Sequence, residues 1–394
     1  MDKSIVIWGA GRIGRGFVAD LFHAARWRLT LVDRSQALID RLCEAGRYTI
    51  VRATGADRQE LVEITGYTAL STDQAGDIRA AVARADLLAV AVFPGDFADT
   101  TRQLAPALVA RRDERPGAPL DTLLCTNLSH PAPQFRRLLQ EALPTDAQTY
   151  GETRLGIVET LVIRIAPDSP PDVRARDPLL VWTNGYPELP VDRHGFRGEV
   201  PSVPGLRPVE NMRAEERRKL YTYNTFHAAL AYVGALHGHE LIADCMADPS
   251  VRAEATAALG EAGQALCAEY GIAPCEMARW ISDVIRHTDN PVLGDTVRRY
   301  GADPRRKLRR EDRLVGPALL ARKHGVPLLH LPYVIAAALR FDSAGDPGAS
   351  FVRRQVKALG VQQATRELCG LHDDEQDLVM DIVRAYNRLL PASE

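Results

Sequence analysis

The sequence predicts an α/β N-terminal domain, doubly wound around a parallel sheet, followed by a mostly α-helical C-terminal domain. Three observations predict it. Short, wholly apolar runs alternate with helix-period segments through the first third of the chain, the pattern of strands covered on both faces by crossover helices. A glycine-rich turn sits between the first apolar run and the first helix. After Glu210 the apolar spacing is almost wholly helical.

The elements follow in order. Residues 4–8 (SIVIW) read as a strand, continuous and β-branched. Residues 13–25 have helical spacing in Ile13, Phe17, Leu21 and Phe22. Residues 28–32 are a second strand. Residues 35–45 are a helix with Leu38, Ile39 and Leu42 on one face and Ser35 as N-cap. Residues 86–93 and 122–126 are further apolar strands. Between about 155 and 208 prolines become dense, which suggests irregular strands and loops joining two domains. Helices are then expected at 215–236, 251–270, 275–286 and 310–323. The expected division is a nucleotide-binding domain at 1–208, with the connecting segment at 155–208, and a helical substrate-binding and catalytic domain at 209–394.

Composition narrows the function. A chain of 394 residues suits two or three domains, and 46% hydrophobic content can fill real cores. Lys+Arg (49) and Asp+Glu (51) nearly cancel, for a net charge of -2. Nucleic-acid binding needs cationic surface, so it is not expected. No apolar run approaches a membrane span, and the start of the sequence lacks a secretory h-region and cleavage site. The six cysteines (Cys43, Cys125, Cys245, Cys267, Cys275, Cys369) contain no CxxC pair. A reduced, cytoplasmic protein without a clustered Cys or His metal-ligand set is the expectation.

Gly9-Ala10-Gly11-Arg12-Ile13-Gly14 follows the first strand and opens the first helix. In a Rossmann-type turn the first glycine makes the bend, the second lets a pyrophosphate approach, and the third lets helix sit on strand. Free N–H groups at the helix N-terminus attract phosphate. Asp33 ends the second strand, where an acid holds the adenosine ribose. A carboxylate accepts from a 2′-hydroxyl and repels a 2′-phosphate, which favours NAD over NADP; the adjacent Arg34 softens that preference.

Lys219, Asn224 and His227 fall on one predicted helix, at about 0°, 140° and 80° around its axis. A lysine of lowered pKa is a general base for alcohol oxidation, an amide donates to an alkoxide, and a histidine holds a hydroxyl. By spacing alone the same residues also read as a snorkelling lysine, a helix asparagine and a core histidine.

GAGRIGRGF at 9–17 together with KLYTYNTFH at 219–227 resembles the polyol-specific long-chain dehydrogenase/reductase (mannitol dehydrogenase) family, closest to its mannitol-1-phosphate 5-dehydrogenase branch. Agreement continues at 203–205 (VPG), 231–234 (AYVG), 289–291 (DNP), 306–308 (RKL) and 312–314 (DRL). The resemblance implies metal-independent, NAD-linked oxidation of a linear polyol or polyol phosphate, and the reverse reduction. It implies Lys219 as general acid/base, Asn224 with Asn127 polarising the reacting oxygen, and His227 on a substrate hydroxyl. It places Arg299 and Lys307 as cationic substrate contacts, although Arg299 also reads as part of a solvated basic run. Phe93 and Pro94 would lie beside the nicotinamide, where the family usually has Gly-Pro. Ile163 replaces a family aspartate near the substrate, and Thr126 replaces an acid before Asn127. The expected substrate pair is mannitol 1-phosphate and fructose 6-phosphate; a free polyol, a ketouronate, or a non-catalytic NAD- and sugar-binding sensor are the alternatives. The expected partner is that small molecule alone, for a monomer or small homo-oligomer.

Overall fold

The computed structural model describes residues 3–55, 58–169 and 171–389. The chain divides into two units, Met1–Glu216 and Arg217–Glu394. Unit 1 contains strands β1 (Ser4–Trp8), β2 (Arg28–Asp33), β3 (Arg47–Gly55), β4 (Arg58–Thr65), β5 (Thr68–Ser71), β6 (Leu87–Val90), β7 (Leu120–Leu124), β8 (Leu155–Glu159), β9 (Val181–Thr183), β10 (Leu189–Asp192) and β11 (Leu206–Val209). Its helices are α1 (Ala19–Ala24), α2 (Gln36–Ala45), α3 (Ala75–Arg84), α4 (Phe97–Glu114), α5 (Ala132–Ala142), α6 (Thr145–Arg154) and α7 (Pro171–Arg176).

The main sheet runs β5-β2-β1-β6-β7-β8, parallel throughout. This is the doubly wound nucleotide-binding order, with the crossing point beside β1. Burial on both faces explains why its central strands are largely apolar on both sets of alternating positions. Ile5, Ile7, Leu29, Leu31, Leu87 and Ala89 fill a core on one face. Val6, Trp8, Val32, Leu88 and Val90 fill another on the opposite face, against Phe97, Leu104 and Phe135. Buried Arg111 on α4 donates to the carbonyls of Val82, Ala83 and Ala85, satisfying the C-terminal end of α3.

Several elements depart from expectation. The apolar strand at 86–93 shortens to Leu87–Val90, and the one at 122–126 shifts to Leu120–Leu124. An antiparallel hairpin, β3–β4, is inserted after α2 and joined by β9. The proline-rich stretch is more regular than its composition suggests. It supplies β8 at the sheet edge, β9 on the hairpin, and the parallel pair β10–β11.

Helix α8 (Met212–Tyr221) carries the chain from unit 1 into unit 2. Unit 2 continues with α9 (Tyr223–Leu236), α10 (Ile242–Ala247), α11 (Pro249–Tyr270), α12 (Pro274–Thr288), α13 (Val297–Gly301), α14 (Pro304–Lys307), α15 (Val315–Lys323), α16 (His330–Arg340), α17 (Pro347–Cys369) and α18 (Gln376–Arg388). Among the described residues no helix is long and apolar enough to cross a membrane.

The single helix expected at 215–236 is two helices, broken at Thr222. Its backbone is distorted from ideal helical angles (φ −118°, ψ −74°). Its hydroxyl donates back to the Arg218 carbonyl, a bond that bends helices. The same oxygen accepts the indole N–H of Trp280 at 2.8 Å. The Arg218 guanidinium lies over that indole, 4.2 Å from the ring centroid. Lys219 therefore ends one helix while Asn224 and His227 begin the next, and an angular argument for a continuous helix does not apply.

Candidate active site

In unit 1 the turn after β1 is shaped by three glycines with different duties. Gly9 has φ +97°, and a Cβ there would lie 2.5 Å from the Ala91 carbonyl oxygen. A Cβ at Gly14 would lie 1.9 Å from the Gly9 oxygen. These two close the turn against backbone. Gly11 differs: nothing lies within 4 Å of where its Cβ would be. That open, bare backbone is the approach a pyrophosphate requires. Beyond it the chain makes a π-helical turn at Gly14–Val18 and settles into α1. Ala10 is fully buried, Ile13 packs on the core, and Arg12 pairs with Asp168 at 2.7 Å.

Asp33 closes β2, and its Oδ1 accepts the Ser35 N–H at 2.9 Å. Arg34 turns to Asp96 at 3.0 Å. Phe93 is 79% exposed and precedes the turn Pro94–Asp96. Thr126 is buried and Asn127 exposed, on the loop after β7. That loop is pinned by Glu216, which accepts from the Ser129 hydroxyl at 2.6 Å and the His130 N–H at 3.2 Å. His130 also reaches Glu159, at the end of β8, at 2.9 Å.

A buried ionic cluster underlies the glycine turn. Asp20 on α1 is fully buried between Arg164 and Arg52. Arg164 also donates to the carbonyls of Gly16 (2.9 Å) and Tyr186 (2.7 Å) and stacks on Phe17. Its neighbour Ile163 is 3% exposed. This segment thus presents an arginine committed to structure and a buried isoleucine.

In unit 2 three of the expected site residues, His227, Arg299 and Lys307, gather around a residue that the sequence reading missed, Tyr300. The His227 ring stacks on it, with centroids 4.2 Å apart and planes at 23°. Lys307, 3% exposed, donates its ammonium to the Tyr300 carbonyl. The Tyr300 hydroxyl donates to Asp295 at 2.6 Å, and Arg299 pairs with the same carboxylate. Two further residues escaped notice because they lie far away in sequence: Thr288, which bonds His227, and Arg313, on the segment whose carbonyl takes the Thr225 hydroxyl. Lys219 and Asn224 are each partly exposed.

The protonation state of His227 follows from its surroundings. Burial lowers its pKa to about 3, and Arg313, Lys219, Arg299 and Lys307 push the same way. The ring is neutral at physiological pH. Its Nε2 lies 3.1 Å from the Thr288 hydroxyl, whose own hydrogen goes to the Val284 carbonyl at 2.8 Å. Nε2 therefore carries the proton, and Nδ1 is left as an acceptor. Burial likewise lowers the Lys307 pKa to about 7, with Arg313 and Arg306 assisting.

The His227 shift has a stability consequence. Between the ordinary value of 6.5 and about 3, the unfolded chain takes up a proton that the native state refuses. Stability from this group is full above pH 6.5 and is lost as pH falls toward 3. His227→Gln is expected to reduce the slope of unfolding free energy against pH in that window, as measured by urea unfolding; an unchanged slope refutes the assignment.

Two family models match the chain. The mannitol dehydrogenase Rossmann domain matches residues 3–205, and the mannitol dehydrogenase C-terminal domain matches residues 211–389. The chain belongs to the mannitol dehydrogenase family. Among solved structures, a D-sorbitol dehydrogenase in substrate-free form superposes with a TM-score of 0.83 at 14% identity, covering 98% of this chain and 93% of that one. The Pseudomonas fluorescens mannitol 2-dehydrogenase, in a ternary complex with NAD and D-mannitol, gives a TM-score of 0.72 at 18% identity, covering 99% and 92%. At these identities the likeness is one of fold.

Among the described residues His237, His239 and Asp248 bring three candidate ligand atoms within 4.8 Å of one another. Asp248 comes from the start of another helix, so spacing along the sequence does not reveal the group.

Proposed function

We propose that this chain is an NAD-dependent polyol dehydrogenase that oxidises a linear polyol phosphate to the ketose phosphate and runs the reverse reduction. Mannitol 1-phosphate and fructose 6-phosphate are the proposed pair. The observation that carries this reading is His227, neutral, held by Thr288 and Tyr300, and surrounded by Lys219, Arg299, Lys307 and Arg313. A neutral acceptor ringed by cations suits a polyhydroxylated substrate that bears negative charge.

NAD supplies the hydride acceptor. The open backbone at Gly11 and the carboxylate of Asp33 fit such a dinucleotide, and the family's Rossmann domain covers both. Gly9 to Gly14 would take the pyrophosphate, and Asp33 Oδ2 the ribose hydroxyls. Lys219 would accept the proton of the reacting alcohol. The amides of Asn224 and Asn127 would donate to the oxygen as its charge grows. His227 Nδ1 would accept from a neighbouring hydroxyl, fixing which carbon reacts. Arg299 and Lys307 would meet the phosphate, the arginine bidentately.

A second reading, a free polyol or ketouronate, has its own support. Arg299 is already paired with Asp295, and Lys307 is almost wholly enclosed. Ile163 withholds an acceptor from one sugar hydroxyl, and a missing partner of that kind can redirect specificity. The deciding measurement is kcat/KM for fructose 6-phosphate, fructose and fructuronate at equal NADH. The phosphate ester is expected to lead by at least about tenfold, roughly 1.4 kcal/mol of transition-state binding. A smaller lead removes the phosphate assignment and leaves the polyol reading.

A further inference from the structure

The turn leaving α9 ends the helix in a defined way. His237 is the C-cap residue and Gly238 follows at φ +79°. The Gly238 N–H reaches the Ala235 carbonyl at 3.1 Å, and the His239 N–H reaches the Gly234 carbonyl at 3.0 Å. This double closure fixes the backbone on both sides of the left-handed glycine. It sets the two imidazoles side by side, with centroids 6.2 Å apart and planes at 24°.

Asp248 faces them from the N-cap of α11. Its Oδ1 accepts the N–H groups of Ser250 (2.8 Å) and Val251 (3.3 Å). That leaves Oδ2 aimed at the histidines, 3.1 Å from His237 Nδ1 and 2.9 Å from His239 Nε2. A helix end and a helix start thus preorganise three donor atoms before any ligand arrives. Zinc bonds to histidine and carboxylate of about 2.0–2.1 Å imply tetrahedral edges of roughly 3.3 Å. The two separations from Oδ2 need only a few tenths of an ångström to reach that length, and the two nitrogens lie within 4.8 Å of each other. The side chains are 36%, 25% and 22% exposed, which gives solvent access for a fourth ligand.

We propose that His237 Nδ1, His239 Nε2 and Asp248 Oδ2 form a binding site for a borderline divalent cation of the zinc, cobalt or nickel type, completed by water. Two imidazoles and one carboxylate favour such ions over magnesium or calcium, which take oxygen ligands. The site clasps α9 to the start of α11 and adds to the stability of unit 2 by mass action. It is separate from the acid/base set: His237 lies ten residues beyond His227 in the chain, about 15 Å along a helix axis.

The test uses the full chain without a polyhistidine tag. Zinc chloride is titrated by calorimetry, cobalt chloride by visible absorption, and magnesium chloride serves as the control. The expected result is one saturable equivalent of zinc, intense tetrahedral-type bands with cobalt, a raised Tm with zinc, and no response to magnesium. In a His237→Gln/His239→Gln variant, zinc binding should weaken by at least about tenfold and the cobalt bands should vanish. Asp248→Asn keeps an N-cap acceptor and loses the anionic ligand, so it should weaken zinc while still folding. The proposal falls if the wild type shows no saturable zinc binding, if it responds equally to magnesium, or if either variant that folds binds zinc as tightly as the parent.

Discussion

Lys219→Ala is expected to lower kcat by about 10²–10⁴-fold, the usual contribution of a positioned acid–base group, while leaving NAD affinity nearly unchanged. The two effects separate because the residues assigned to NAD, Gly9 to Gly14 and Asp33, belong to unit 1, whereas Lys219 belongs to unit 2. Alanine is the best helix former, so α8 should survive the change. Steady-state rates with NADH and a ketose give the first quantity, and quenching of protein fluorescence by NADH gives the second. A variant retaining more than about a tenth of the parent's kcat would remove Lys219 from the role, since a working acid–base group contributes at least about a hundredfold. A variant that loses NAD binding instead would mark a structural role.

Arg164→Met should destabilise the protein by about 3 kcal/mol, near the lower end for breaking a buried ion pair. Asp20 is fully buried, and Arg164 is nearly so. Methionine would leave the carboxylate facing only Arg52, whose side chain is 24% exposed and also serves Glu60. That remaining partner is why the lower end applies. Against a typical total of about 5–15 kcal/mol the loss is severe. It should appear as a lower urea midpoint. The double variant Arg164→Met/Asp20→Asn should lose less than the sum of the two single losses, because the pair acts as a unit. Strict additivity would show that the cluster is not coupled.

The glycine turn was legible because each of its residues answers a local demand. Gly9, Gly11 and Gly14 have separate steric reasons, and Asp33 follows at the end of the next strand. Ser35 as N-cap was legible for the same reason, and its side chain does accept from Leu38 N. The β3–β4 hairpin was not foreseen. Its alternation is diluted by solvent-facing Arg58, Gln59 and Glu60, and its inner face is set by contacts such as Tyr48 to the Arg15 carbonyl. The helix break at Thr222 was not read from the sequence, and the indole that bonds its hydroxyl, Trp280, is 58 residues away. Tyr300 was passed over for a related reason. Its neighbours Arg299 and Lys307 looked like a basic run, and only folding shows that its ring meets His227, its carbonyl holds Lys307, and its hydroxyl shares Asp295 with Arg299.

The fixed tautomer of His227 gives the hydrogen bonds at this point a direction. Donation runs from whatever meets Nδ1, through Nε2 to Thr288, and ends on the Val284 carbonyl of α12. Nothing along that line can reverse without breaking a helix-anchored bond. In the role proposed for it, the position reads polarity as well as shape. A hydroxyl can satisfy it, whereas a fluorine or an ether oxygen of similar size brings no hydrogen and leaves an imidazole lone pair facing an electron-rich atom. Because the ring stays neutral far below physiological pH, this filter does not switch with acidity. On the proposed reading, selectivity among sugars that differ by one substituent rests on the orientation of a single proton.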